Sequence, residues 1–153
     1  MTNKINYTQQ EWRLLVFAPQ YAANGVAAID GNITPAESLV ITNAMLAAKS
    51  RYPDNELIAC TIDGLPELME AADIPVELMQ AKTVEDAERV FFMISKILEK
   101  KSPPDEAHQY SQFLVDLIKE VSGASGKILK MFGDTVSEEE SDFIERISRM
   151  LYL

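Results

Sequence analysis

Residues 110 to 132 read Y-S-Q-F-L-V-D-L-I-K-E-V-S-G-A-S-G-K-I-L-K-M-F. Within it Tyr110, Phe113, Leu114, Leu117, Ile118, Val121, Ala124, Ser125, Ile128 and Phe132 follow one another by threes and ones, with a last step of four. That spacing lays one apolar stripe along a helix of several turns and excludes a strand, whose faces alternate every second residue. The stripe predicts a long helix from about residue 104 to residue 132. Two glycines, Gly123 and Gly126, interrupt it, and each costs about 1 kcal/mol against alanine in a helix. A close crossing by a second helix would account for them, as would a break in the backbone.

The rest of the chain has the same period. Ala87, Val90, Phe91, Ile94, Ile97 and Leu98 form a second stripe, and Phe143, Ile144, Ile147, Met150 and Leu151 a third. The run from Trp12 to Ile29 is apolar almost all round, which predicts a central helix with neighbours on several sides. A further helix is expected from about Pro35 to Lys49. Start signals agree with these stripes. Thr8 with Glu11, Thr34 with Glu37, Thr83 with Asp86 and Ser137 with Glu140 each set a hydroxyl three residues before an acid. The hydroxyl accepts from the third amide of the helix, and the acid reaches back to the cap residue's own amide. Pro35 stands at the first helical position, where a missing N–H costs nothing. Ser102-Pro103-Pro104 opens another helix, and Lys100 and Lys101 close the one before it. Between residues 52 and 83, Asp63-Gly64, Pro66, Asp73 and Pro75 predict short, irregular helical pieces; Leu57 to Ile62 reads as a short helix or loop. The expectation is one all-α domain spanning residues 1–153, a bundle of six or seven helices.

Composition limits the function classes. The chain has 153 residues, 47% of them apolar, and 24 acidic against 14 basic side chains leave a net charge of −10. That charge repels phosphate backbones, so nucleic acid is not an expected partner. It suits cations or a basic protein surface. The single cysteine, Cys60, cannot form an internal disulfide and, among apolar neighbours, reads as a small core residue. No apolar leader follows the first residues, and the longest uncharged run, between Arg13 and Asp30, falls short of the roughly 20 residues that span a bilayer. A cytoplasmic chain without membrane insertion is the expectation.

Two stretches resemble each other: A-I-D-G-N-I-T-P-A-E-S at 28–38 and M-F-G-D-T-V-S-E-E-E-S at 131–141. Asp30-x-Asn32-x-Thr34 looks like the opening of an EF-hand, but its sixth and twelfth places hold Pro35 and Ile41 in place of Gly and Glu. Together with A-x-N-G-V-A-A and the later S-G-A-S-G and F-I-E-R-I, the two stretches resemble the tellurite-resistance TerB-like proteins. The resemblance covers about residues 10–50 and 110–151. It implies an all-helical module of two related halves, placed in a stress or tellurite-resistance context. It also implies divalent-cation binding, Ca²⁺ or Mg²⁺, by acidic turn residues, and no defined enzymatic reaction. Asp30 and Glu37 match the first element, and Glu140 the second. In the same register Gly133 replaces Asp30, so the second acid, Asp134, is displaced by one residue.

Asp30, Glu37, Asp134 and Glu140 are therefore the candidate metal ligands. Read from the residues alone, the same positions are accounted for by helix caps and turn formers. Glu138, Glu139, Glu140 and Asp142 gather at a helix N-terminus, where the macrodipole favours them. No catalytic constellation is evident, because the sole histidine, His108 in D-E-A-H-Q-Y, reads as a surface residue. Other readings are a metal-free interaction module, with a protein partner or a second copy of the chain, and a small-ligand binder with a pocket of methionine and aromatic residues. At helical spacing, Met45, Met69, Met79 and Met93 read first as core. The glycine pair at 123 and 126 and the C-terminal M-L-Y-L suit a dimer seam as well as the core.

Overall fold

In a computed structural model, the backbone is described for residues 2–31, 35–80, 82–129 and 138–151, and the side chains of all of these except 30, 35–37, 77, 79 and 124–129. Among the described residues there is no strand. After a 3₁₀ turn at Lys4–Asn6 come α1 (Gln9–Asp30), α2 (Pro35–Arg51), α3 (Glu56–Glu70), α4 (Val76–Gln80), α5 (Val84–Lys101), α6 (Pro104–Leu129) and α7 (Glu138–Met150). The chain is all-helical, as the periodicity predicts.

Helix α1 is the hub, packing against α5, α6, α3 and α7. Its residues from Leu14 to Ala18, with Tyr21 to Ala23 and Val26, are buried on every side, which its nearly unbroken apolar sequence requires. Pro19 lies inside it. A proline has no N–H, so the carbonyl four residues earlier, that of Leu15, lacks its helical donor. The buried Tyr110 of α6 supplies one: its hydroxyl donates to the Leu15 carbonyl at 2.5 Å. Burial pushes the Tyr110 phenol far above its ordinary range, so it stays protonated and a donor at neutral pH.

The predicted stripes are buried where they are described, with Ile144 and Met150 half-buried and Ala124, Ser125, Ile128 and Phe132 outside the described side chains. On α5, Ala87, Val90, Phe91, Ile94, Ile97 and Leu98 are buried, and on α6 Tyr110, Phe113, Leu114, Leu117, Ile118 and Val121. Ser111, Val115 and Ser122 are buried too, because α6 packs against α1 and α7 and also against α2 and α3. The caps at Thr8 and Thr83 form the reciprocal bonds of a capping box. Those at Thr34 and Ser137 lie outside the described residues.

Helix α3 departs from the expected short pieces. It runs unbroken through Asp63-Gly64 and Pro66. Its buried side, Leu57, Ile58, Thr61 and Gly64, keeps helical spacing, and Gly64 sits against Trp12 and Val16 of α1. Pro66 stands on the solvent side, where water can replace the missing donor. Tertiary packing overrides the local breakers. The helix ends at Glu70, and two residues on Ala72 has a φ of 54°, a left-handed conformation unusual for a side-chain-bearing residue. The turn delivers Asp73 to α1, where Arg13 pairs with it at 2.6 Å.

Among the described residues a close helix crossing falls at Gly25, where a Cβ would lie 2.3 Å from the Phe143 ring of α7, whereas one on Gly123 would meet none of the described residues within 4 Å. Gly126 lies outside the described side chains. Of the methionines expected in the core, Met45 is buried, Met69 and Met93 are exposed, and Met79 lies outside the described side chains.

Helices α1 and α5 are tied end to end. Glu11 accepts from the Thr8 amide and from Lys101 in the last turn of α5, while Tyr7 and Ser102 share a hydrogen bond of 2.8 Å. The Lys101 bond first, and the Thr8 amide second, hold the Glu11 carboxyl below its ordinary value of 4.5.

These two ties can be tested by substitution. Tyr110→Phe strands a buried carbonyl and should cost about 1 to 3 kcal/mol in urea unfolding. In a Pro19→Ala background the restored backbone N–H at position 19 can serve Leu15, so the same substitution should cost clearly less; equal costs in both backgrounds would refute the assignment. Glu11, with a depressed native pKa, contributes stability that is complete above its ordinary value and is lost as pH falls through the native one. Glu11→Gln should therefore lower stability at neutral pH and flatten its decline in acid, read from urea midpoints across pH.

Candidate functional site

Asp30 is the last residue of α1 and Glu37 the third of α2, and Gly31 stands between the two helices. Gly31 has φ 114° and ψ −92°, and its N–H donates to the Ala27 carbonyl at 2.6 Å. Only glycine adopts that backbone readily, which is why an Asp-Gly pair ends this helix. The side chains of Asp30 and Glu37, and all of Asp134, lie outside the described residues.

Glu140 is the one candidate ligand whose side chain is described, and its surroundings differ from those of a solvated cap. It is 1% exposed in the first turn of α7, on the same buried face as Phe143, Ile147 and Leu151. Steps of three, four and four residues connect these positions, so the sequence did hold the signal that Glu140 lies on the core stripe. Its neighbours Glu138, Glu139 and Asp142 are exposed and fit the dipole-matched helix start. Among the described residues, no group of three or more His, Cys, Asp or Glu side chains is arranged to hold a metal ion.

A polar junction not anticipated from sequence forms where the N-termini of α3 and α6 meet. Asn55 caps α3 by accepting from the Ile58 amide at 2.9 Å, and its amide group donates to the Glu106 carbonyl and to Gln109. The Glu106 carboxylate accepts from the Leu57 amide and from the Thr2 hydroxyl, both at 3.0 Å. A carboxylate on the open amides of a neighbouring helix is a favourable arrangement, and it accounts for Glu106 as a structural acid.

Cys60 is half-buried beside this junction rather than sealed in the core. Desolvation, and then the charges of Glu56, Asp63 and Glu106, push its thiol above the ordinary value. Such surroundings disfavour the thiolate that nucleophilic chemistry needs.

Two larger clefts open on the described surface. One, of about 620 Å³, lies between the N-terminal turn and α3, with Lys4, Glu56, Asp63 and Glu67 on its walls. The other, of about 440 Å³, lies among the C-terminal half of α5, the start of α6 and the end of α7. Leu98, Ala107 and Leu151 give it an apolar wall, Ser95, Ser102 and Ser111 bring hydroxyls, and His108 and Glu99 stand beside them. His108 is exposed, as its sequence context implies, but it opens on this cleft. Among the described residues, no Met, Phe, Tyr or Trp lines it. Two of the hydroxyls are already oriented, Ser95 donating to the Phe92 carbonyl and Ser102 bonding with Tyr7. Among the described residues, neither His108 nor Cys60 has the partner set of a triad or a zinc cage in its cleft.

Among the described residues, no helix is long and apolar enough to cross a membrane. Comparison with protein-family models, with curated proteins and with solved structures finds no match to this chain.

Proposed function

We propose that this chain is a non-enzymatic helical binding module that takes a small molecule in the cleft between α5, α6 and α7. The observation that carries this reading is the convergence of three serines and His108 on an apolar wall around about 440 Å³. Small-ligand sites have this size and make-up: apolar walls for binding and a few placed polar groups for orientation. The polar groups come from the ends of α5 and α6, both anchored to α1, so the cleft is preformed. The net charge of −10 and the presence of Glu99 favour a neutral or cationic ligand over an anion.

Fragment screening by NMR tests this. Binders should move the amides of His108, Ser111 and Leu151, and Ala107→Phe, which fills the cleft, should weaken them about tenfold or more. Binders that ignore this substitution would place the site elsewhere.

A second reading follows the resemblance to the TerB-like family, in which acidic residues bind Ca²⁺ or Mg²⁺ in a stress-related setting. What supports it is the match of Asp30 and Glu37 to the first acidic element of that family and of Glu140 to the second. Titration with Ca²⁺ or Mg²⁺ should then raise the melting temperature, and Asp30→Asn should abolish the rise. If millimolar metal shifts neither the melt nor the resonances of Asp30, Glu37, Asp134 and Glu140, that reading fails.

A further inference from the structure

The cleft of about 620 Å³ between the N-terminal turn and α3 combines acids with one unpaired donor. Glu56, Cys60, Asp63, Gly64 and Glu67 form its α3 wall, spaced by four, three, one and three residues along one helix face. Lys4 and, from α1, Trp12 line it as well. Trp12 is only 8% exposed, and among the described residues its indole N–H has no acceptor. Gly64 leaves that N–H open to the cleft. A Cβ there would find room, 3.4 Å from Val16 and 3.7 Å from the indole nitrogen. Since glycine inside a helix is less stable than alanine, packing alone does not call for it.

We propose that this cleft binds a lysine- or arginine-rich peptide segment, whose cations meet the α3 carboxylates while a backbone carbonyl accepts from the Trp12 indole. Three acids face one lysine on its walls, in a chain whose net charge is −10. Such a cleft draws cations and repels anions. Among the described residues Glu56 has no ion pair. Lys4 reaches Glu67 only at 3.8 Å, with both side chains more than half exposed, so a peptide cation can displace it. Asp63 is held by Lys49 of α2 at 2.6 Å and adds field rather than a free contact. That field is felt on the same wall at Cys60, whose thiol is raised by desolvation first and by Glu56 and Asp63 after it.

The arrangement selects a peptide over a simpler cation. The acids are strung along the helix, about 10 Å from Glu56 to Asp63 and about 6 Å on to Glu67. Among the described residues no three of them are grouped to hold a metal ion. An extended chain rises about 3.3 Å per residue, so basic residues two or three places apart match those intervals. The indole adds a demand that a bare polyamine cannot meet, because it donates and needs an acceptor. A peptide backbone brings a carbonyl at every residue. No described residue lines both this cleft and the one between α5, α6 and α7, so the two sites are independent.

Trp12 is the sole tryptophan, so its indole N–H gives a single NMR cross-peak that reports on the cleft directly. The full chain is titrated with the acetylated, amidated peptide Lys-Ala-Lys-Ala-Ala-Lys, with its Glu counterpart and with spermidine. The basic peptide should move the indole peak downfield, and added salt should weaken its binding. The Glu peptide should not bind, and spermidine should leave the indole peak in place. By calorimetry, Trp12→Phe should weaken the basic peptide about fivefold, the loss of one hydrogen bond. Gly64→Ala should weaken it too while raising the melting temperature, and Lys4→Ala, which removes the internal competitor, should tighten it. Ala107→Phe should leave it unchanged. A basic peptide that does not bind, or a Glu peptide that binds as well, would overturn the site. An indole peak unmoved by the bound peptide, or spermidine binding as tightly, would overturn the assignment to a peptide.

Discussion

A proline in the middle of the central helix leaves one carbonyl without a donor, and the bundle is arranged so that another helix provides it. Leu15 is fully buried, so water cannot reach its carbonyl, and an unpaired group there would cost more than a typical hydrogen bond contributes. The Tyr110 hydroxyl removes that cost and fixes α6 against α1 in both rotation and height. Everything that packs on α6 inherits the placement. Its first turn meets α3 at the Asn55 and Glu106 junction, its flank carries α2, and its exposed His108 turns toward the cleft beside α5. Because burial holds the phenol protonated at neutral pH, this tie is intact there.

Around that tie the helices are stapled at their ends. Glu11, Lys101, Tyr7 and Ser102 fasten the start of α1 to the end of α5. Arg13 holds Asp73 beyond the left-handed turn at Ala72, and Arg146 on α7 pairs with Glu88 on α5. Most of these pairs are partly exposed and each adds little by itself. Their effect is geometric: they fix where the helix ends meet.

The helical class was legible because it depends on short-range spacing. Stripes such as Ala87 to Leu98 and Tyr110 to Val121 are buried as read, and the Thr8 and Thr83 caps need only residues three apart. The readings that went astray involved local signals outweighed by distant partners. Gly64 and Pro66 looked like breakers, yet contact with Trp12 and Val16 keeps α3 continuous. Gly123 looked like a crossing point, yet a Cβ there would meet none of the described residues, while a tight crossing does occur at Gly25 on Phe143, 118 positions further along the chain. Glu140 looked like part of a solvated helix start, though its place on the Phe143, Ile147 and Leu151 face was there to be read.

The sequence alone determined that the chain is helical, where most helices begin, which faces turn inward, and that the molecule is acidic. These follow from periods of three and four residues and from cap chemistry, both local. Only the tertiary structure decided that Tyr110 completes a carbonyl 95 positions away, that Glu106 serves the amides of α3, and that His108 shares a cleft with Ser95, Ser102 and Leu151. Which far-apart residues meet depends on how whole helices pack, and no local period encodes that. The acidic row on α3 belongs to both: the spacing of Glu56, Asp63 and Glu67 is in the sequence, but the Trp12 indole beside it is a consequence of how α1 packs on α3.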